Sequence, residues 1–394
     1  MKEPPARAKV VHVVTRLDLG GAQQNTLHTV AHLDPSRFEA VLLCGEGGLL
    51  DPEARALADN GTIRLRVIPH LVRELHPLKD LVALLEIWSV LWQERPAVVH
   101  THSSKAGILG RFAAFLAGVP VVVHTFHGFG FHERMPSLLR GVYEAVERAA
   151  AACSTRLIFV SEANRAQAAR LGLGEPRAYR LIRSGVALAA FPAKIPSKEQ
   201  KKASLGLRMH KPLVLGVGNF KPQKNPEDFL KAAEWILERA PETSFLYVGD
   251  GPLRAPLQAR ILGRGLAGKI VFPGWRRDVP ELLAAADVFA LSSLWEGLPR
   301  SLIEAMKSGL PCVAYAADGV RDVLKDGATG LAVEPGDWRA LAESVLGLLQ
   351  DAERAKALGR AAAAAIGPEF DIDEMVRAQE RLYEELLSAA PAGR

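Results

Sequence analysis

VFALSSLWEGLPRSLIEAMKSGLPCVAY, Val288 to Tyr315, is the stretch that decides the fold. It opens on a short apolar run, Val288–Leu291, and crosses a loop of Ser, Glu, Gly and Pro. It enters a helix near Pro299 or Arg300 and closes on a second apolar run, Cys312–Tyr315. Short apolar runs on either side of a helix are what strands buried on both faces look like, so the pattern predicts a parallel sheet with helices above and below it. The alternation continues outward. Strands are expected at Leu213–Gly218, Phe245–Gly249, Ile270–Phe272 and Gly330–Val333, and in the first half at Lys9–Thr15, Ala40–Cys44, Ala97–Thr101, Val119–Thr125 and Leu157–Val160. Amphipathic runs, Gln23–His32 and Leu78–Gln93, fall between the early strands.

The alternation stops over Phe191–His210, where Pro, Lys and Ser displace large apolar residues, which is the composition of a linker. The expected organisation is an N-terminal domain at 1–190, a linker at 191–211, a C-terminal domain at 212–369 and a terminal helix at 370–394. Met375, Ala378, Leu382 and Leu386 recur in that helix at helical spacing. A chain of 394 residues has room for two cores. The cysteines, Cys44, Cys153 and Cys312, are scattered without disulfide or zinc spacing, which suits a reducing compartment and a cytoplasmic location. The N-terminus lacks the apolar core of a leader, and the longest apolar stretch, Leu78–Trp92, is interrupted by Lys79, Asp80 and Glu86, so no spanning helix is expected. The net charge of +5 is spread along the chain and does not single out nucleic acid as a partner.

Parallel sheets bind ligands beyond the carboxyl ends of their strands, so the loops after strands carry the candidates, with the space between the halves as the default site. Gly20-Gly21, after the first strand, allow close backbone approach at a helix N-terminus, although the spacing is not that of a dinucleotide fingerprint. A tight turn with no ligand is the alternative. In VGNFKPQKNP, Val217–Pro226, Lys221 and Lys224 suit a diphosphate clamp, or are simply solvated. Glu296 is expected in the loop after a strand, and Glu304 eight residues on, about two helical turns, on the same face of the helix that starts near Pro299 or Arg300. They suit two hydroxyl pairs of an extended ligand whose phosphates meet the N–H groups of Leu298, Arg300 and Ser301. Helix capping by Glu296 with a solvated Glu304 is the alternative. His100, His102, His124 and His127 gather at strand ends, but no carboxylate or cysteine accompanies them. A hydrogen-bonding role for His127, followed by Gly128, is expected over a metal site.

Phe272–Asp337 resembles the signature region of retaining glycosyltransferase family four, of the GT-B fold. Gly20–Gln23, Val98–Phe129 and VSEANR at Val160–Arg165 resemble its bacterial surface-polysaccharide members. The resemblance implies an α/β protein with two Rossmann-like domains whose parallel sheets face a central cleft. It also implies a retaining hexosyltransferase that moves a sugar from a nucleotide-diphosphate donor, expected to be a UDP-sugar, to a glycan or lipid-linked acceptor in polysaccharide, lipopolysaccharide or exopolysaccharide synthesis. By the same resemblance Glu304 binds ribose hydroxyls, Glu296 the donor sugar, and Gly297, Leu298, Pro299, Arg300 and Ser301 the sugar and phosphates. Lys224 neutralises the leaving diphosphate, Arg276 lies by the nucleobase, His127 by the transferred sugar, and Gly20 and Gly21 over the phosphates. No bound cofactor and no metal are implied, and the terminal helix is implied to brace the N-terminal domain.

Asn219 stands where the family usually has arginine, so Lys221 or Arg276 would have to supply the missing charge. Gln23 replaces a common glutamate, and Asp318 and Asp322 replace the usual Gly and Glu. The only D-x-D, Asp371–Asp373, opens the terminal helix, where capping is its expected role. An epimerase or phosphorylase on the same scaffold, and a non-catalytic nucleotide-sugar sensor, are the competing classes. The run Phe131–Arg148, with Arg134, Arg140 and Arg148 among Met135, Leu138, Leu139, Val142 and Val146, suits peripheral contact with an anionic inner membrane face, or is a solvated cover helix.

Overall fold

The computed structural model describes residues 7–131 and 135–389, so Arg134 of the run above lies outside the described residues. The chain forms two compact units. One holds the described residues up to Gly185 together with those from Ile372 onward, and the other is Val186–Asp371.

The first unit is built on β1 (Ala8–Arg16), β2 (Phe38–Gly45), β3 (Arg64–Val67), β4 (Val98–His102), β5 (Val121–Phe126), β6 (Arg156–Phe159) and β7 (Tyr179–Leu181), in the order β3-β2-β1-β4-β5-β6-β7. The second is built on β8 (Leu213–Val217), β9 (Ser244–Val248), β10 (Ile270–Val271), β11 (Val288–Leu291), β12 (Cys312–Tyr315) and β13 (Leu331–Val333), in the order β10-β9-β8-β11-β12-β13. Every pairing in both sheets is parallel. Both orders are the doubly wound Rossmann arrangement.

Both faces of the first sheet are covered at its central strands, which is why β1, β2, β4 and β5 read as largely apolar runs. Val11, Val13, Leu43 and Val99 pack on Ala83, Ile87 and Leu91 of the helix Pro77–Glu94. Val10, Val14 and Leu42 face the opposite way, against Val30 of the helix Gly21–His32 and Met375, Leu382 and Leu386 of the helix Ile372–Ala389. Each such buried side chain contributes about 1.5–3 kcal/mol, so the terminal helix is part of the first unit's core rather than an appendage.

The segment expected to be a linker belongs to the second unit. Its helix Lys198–Ser204 is held by two lysines that composition alone reads as solvated. Lys202 is buried and donates to Asp287 Oδ2 at 2.9 Å, and Lys201 pairs with Asp278 at 2.5 Å. The chain therefore passes between the units at Gly185–Val186 and at Asp371–Ile372.

Candidate active site

In the second sheet the order reverses between β8 and β11, so the loops after these two strands flank a crevice at the carboxyl edge. They are stitched together. Leu294 N donates to Gln223 O at 2.8 Å, Gln223 Nε2 to Trp295 O at 3.0 Å, and Ser292 Oγ to Lys224 O at 3.1 Å and to Asn225 O at 2.9 Å. Asn225 takes a left-handed conformation, φ 45°, directly before the helix Pro226–Leu237, and its amide donates to Asp228 Oδ2 at 2.6 Å. A non-glycine residue in that region is uncommon, though Asn is among the types that tolerate it. The result is that Lys224 Nζ meets Glu296 Oε1 in an ion pair, with Glu296 only 6% exposed. The negative charge of Glu296 acts after burial in pushing up the hydroxyl of neighbouring Tyr247.

The helix that follows is Arg300–Lys307, capped by Pro299 in an extended conformation and by no side-chain hydrogen bond. Glu296 is in the loop after β11, and because the helix begins only at Arg300 the eight residues to Glu304 are not two helical turns. Glu304 sits one turn after Arg300, with Arg300 Nη2 3.9 Å from its Oε1. Burial raises the Glu304 carboxyl above the ordinary carboxylate range and lowers the Arg300 guanidinium, and each charge partly offsets the other's shift. The first N–H groups of an α-helix lack intrahelical acceptors, so this N-terminus, with Leu298 buried before it, offers donors to an anion.

Asn219 and Lys221 share the β8 loop with Lys224, where Lys221 N donates to Asn219 O at 2.8 Å and Lys224 N to Lys221 O at 3.0 Å. Arg276 is committed elsewhere: its guanidinium grips Asp278 through Nε at 2.8 Å and Nη2 at 2.6 Å. Sequence reasoning missed Gly319. A Cβ there would stand 1.9 Å from Gly297 O, so the Glu296–Leu298 loop can lie where it does only against a glycine. The signal for it was the AADG run directly after β12.

Gly20, Gly21 and His127 are in the first unit. Gly20 is the extended N-cap of the helix Gly21–His32 after β1, and His127 follows β5. Behind His127 is a cluster larger than the four histidines expected. His12, on β1 in register with His100 of β4, joins it. His12 Nδ1 and His102 Nε2 are 3.0 Å apart, and His102 Nδ1 and His127 Nε2 3.2 Å. His100 is held by Tyr383 Oη at 2.5 Å and Thr125 Oγ1 at 2.7 Å, and His124 Nδ1 by Thr101 Oγ1 at 2.9 Å. His100 and His102 stay within β4 and share a face. Burial lowers all four inner imidazoles, His12 to about 3. His12, His100 and His102 bring ring nitrogens within 4.8 Å of one another, but the hydrogen bonds above already use every one of those nitrogens except His12 Nε2.

Comparison with known proteins identifies the family. Residues 20–185 match the model described as glycosyl transferase 4-like domain, and residues 197–365 the model described as glycosyl transferases group 1. The chain is 35% identical over 354 residues to UDP-Gal:alpha-D-GlcNAc-diphosphoundecaprenol alpha-1,3-galactosyltransferase of Escherichia coli, a match covering 89% of this chain and 90% of that one. It is 30% identical to 2-deoxystreptamine N-acetyl-D-glucosaminyltransferase of Streptomyces fradiae, over 92% of this chain and 90% of that one. The fold is similar to that of HepE of Anabaena, crystallised with UDP and glucose, with a TM-score of 0.80 at 20% identity over 96% of this chain and 100% of the other. Two Rossmann-like units, a family model on each and a relative matched nearly end to end place the chain in glycosyltransferase family four: it is a glycosyltransferase of the GT-B fold.

Proposed function

We propose that the protein transfers a sugar from a UDP-sugar to a lipid-linked or glycan acceptor in surface-polysaccharide assembly, with retention at the anomeric carbon and without a metal. The observation that carries this is the Lys224–Glu296 pair beside an uncapped helix N-terminus: a cation for a diphosphate next to a carboxylate for sugar hydroxyls. The E. coli relative is named for a UDP-galactose donor and an undecaprenol-diphosphate acceptor, and the HepE crystals hold UDP, which supports the choice of nucleotide. When donor enters, Lys224 turns to the diphosphate and Glu296 to the sugar, while Glu304 takes the ribose hydroxyls. The bond from the anomeric carbon to the phosphate oxygen breaks as the acceptor oxygen bonds to the same face. The acceptor proton passes to the departing phosphate, whose growing charge Lys224 and the helix N–H groups stabilise.

The test is release of free nucleotide from UDP-, GDP- and ADP-sugars, with magnesium and with EDTA, in the presence of a polyprenyl-diphosphate sugar, followed by NMR of the product linkage. Metal-independent release from a UDP-sugar with an α-linked product is expected. An inverted linkage, or a requirement for magnesium, rejects the mechanism. Turnover without transfer, or binding without turnover, returns the epimerase or phosphorylase and the sensor alternatives.

Because Arg276 is held by Asp278, the charge missing at Asn219 falls to Lys221 in this reading. Lys221→Ala is expected to lower turnover about tenfold or more, in the range of a charged hydrogen bond of about 1.5–3 kcal/mol. Wild-type rates in a steady-state assay sink the assignment.

A lipid-linked acceptor also requires a membrane contact, which we assign to the first unit. No helix among the described residues is long and apolar enough to cross a bilayer. The helix Pro77–Glu94 is nevertheless apolar on both sides. Ala83, Ile87 and Leu91 face the core, while Leu78, Leu81, Leu85, Trp88 and Trp92 are exposed, Leu78 by 72%. Its acids Asp80 and Glu86 are paired with Lys105 at 2.6 Å and His70 at 2.7 Å, and its third, Glu94, is buried and paired with Lys9 at 2.9 Å and Arg64 at 2.8 Å, leaving a stripe with exposed Lys79 near one end and Arg95 at the other. Leu138 and Val142 of the helix Ser137–Ala152 are exposed as well, but Arg140 there is paired with Glu144 at 3.3 Å. Flotation with anionic liposomes at low salt is expected, and Trp88→Glu should reduce the bound fraction several-fold. No flotation of the wild type rejects the contact.

A further inference from the structure

We infer that Asp228 is a positioning residue for Lys224, acting through Asn225: its carboxylate holds Asn225 in the left-handed conformation from which the lysine side chain reaches Glu296 and the diphosphate. The inference rests on the proposed role of Lys224 at the leaving group. It comes from the way the helix Pro226–Leu237 begins.

An asparagine directly before a helix ordinarily has an extended backbone, and its side-chain oxygen accepts from an N–H of the first turn. Asn225 does neither. Its φ and ψ are 45° and 55°, and its side chain makes no capping bond. Its amide instead donates to Asp228 Oδ2 at 2.6 Å. That oxygen also accepts from the hydroxyl of Tyr315, on β12, at 2.9 Å, and Lys231 Nζ donates to Asp228 Oδ1 at 3.1 Å. Asp228 and Tyr315 are both buried, so the sheet fixes the carboxylate and the carboxylate fixes the amide of Asn225.

The left-handed region is unfavourable for a residue with a Cβ, and such strain persists where surrounding contacts impose it, often at functional sites. Here the contacts converge on one residue. Lys224 N donates to Lys221 O at 3.0 Å, and Ser292 Oγ, from the loop after β11, is 3.1 Å from Lys224 O and 2.9 Å from Asn225 O. With Asn225 held by Asp228 as well, the peptide that links Lys224 to Asn225 has one orientation, and it sets the direction in which the lysine side chain leaves the loop. Rotation of Asn225 into the right-handed or extended region turns that peptide and swings Nζ away from its ion pair with Glu296. Asp228 touches neither sugar nor phosphate in this arrangement and acts only through the place it gives Lys224.

The test compares UDP release from UDP-galactose, with a polyprenyl-diphosphate sugar as acceptor, for Asp228→Ala, Asn225→Gly and the double variant. Asp228→Ala is expected to lower kcat about tenfold or more with donor KM within about twofold, because a shift of about 1 Å in a catalytic group can cost about a hundredfold and Lys224 counts most as the leaving charge grows. Glycine enters the left-handed region without strain, so Asn225→Gly is expected to keep kcat within about threefold of wild type, and adding Asp228→Ala to it to cost less than about threefold more. A carboxylate with a merely structural role costs the same in both backgrounds, and equal losses overturn the inference. Tyr315→Phe keeps its ring in the core and takes the place of Asp228→Ala if that variant does not fold. A fall in kcat of about threefold or more that Asn225→Gly abolishes is then expected, and no fall, or the same fall in both backgrounds, overturns the inference. A crystal structure of unliganded Asp228→Ala, or of Tyr315→Phe in its place, reads the placement without turnover: Asn225 outside the left-handed region and Lys224 Nζ withdrawn from Glu296 are expected, and an intact ion pair overturns the inference. Lys224→Ala with unchanged UDP release overturns the role of Lys224 instead, and leaves its placement to be judged by that structure.

Discussion

Lys224→Ala is expected to lower turnover by about two to three orders of magnitude, the usual loss when one fixed donor to a developing anion is removed from an active site. The effect should fall on kcat, because the charge on the leaving diphosphate grows as the glycosidic bond breaks and the lysine is worth most at that moment. The same substitution also strips Glu296 of its ion-pair partner, and Glu296 is only 6% exposed. Removing one member of a buried pair costs about 3–5 kcal/mol, far more than the pair itself contributes, so lost activity could be mistaken for lost fold. The double variant Lys224→Met with Glu296→Gln separates the two. It leaves no unpaired charge and should recover most of the thermal stability lost by the single variant, while turnover stays low. Recovery of both stability and turnover would mean that Lys224 only neutralises Glu296, and the diphosphate assignment would be withdrawn.

What the sequence discloses and what it hides follow from how many groups a feature depends on. Strands buried on both faces, such as β1 and β12, are legible because each residue reports burial independently. β3 has the sequence RLRV at an exposed sheet edge, and β7 is three residues long, so neither carries enough apolar pattern to be seen. Lys198–Ser204 reads as linker because lysine is usually solvated; the partners that bury Lys202 and engage Lys201 lie far along the chain, at Asp287 and Asp278. The site divides in the same way. Lys224, Glu296 and Glu304 are legible as chemistry at strand ends, and the sheet order then shows why the first two meet: β8 and β11 are neighbours although 70 residues of chain separate them. His12 is invisible as a site residue until register sets it beside His100, and Gly319 until the carbonyl of Gly297 is found against it. Single-residue chemistry is in the sequence, whereas pairwise chemistry across the sheet waits for topology.

Glu304 is where affinity rather than rate should respond. Two ribose hydroxyls donating to an ionised carboxylate are worth about 1.5–3 kcal/mol each, so Glu304→Ala is expected to weaken UDP binding by about a hundredfold or more. The comparison that isolates the contact is 2′-deoxy-UDP. The wild type should discriminate against it, and Glu304→Ala should bind the two nucleotides alike. pH gives an independent reading. Burial raises the Glu304 carboxyl, with Arg300 only partly opposing the shift, so the folded protein holds this proton to a higher pH than the unfolded chain does. Ionising Glu304 therefore opposes folding as pH rises through the raised value, and the site accepts that cost only if the charged form is what the ligand needs. UDP affinity should accordingly fall on acidification from a pH above the ordinary glutamate value of about 4.3, and the fall should be absent in Glu304→Ala. Calorimetric titrations of both nucleotides at pH 5 and 7.5, on wild type and variant, contain the whole argument. Equal affinity of the wild type for UDP and 2′-deoxy-UDP at neutral pH would remove Glu304 from the ribose and leave Arg300 as the reason for its burial.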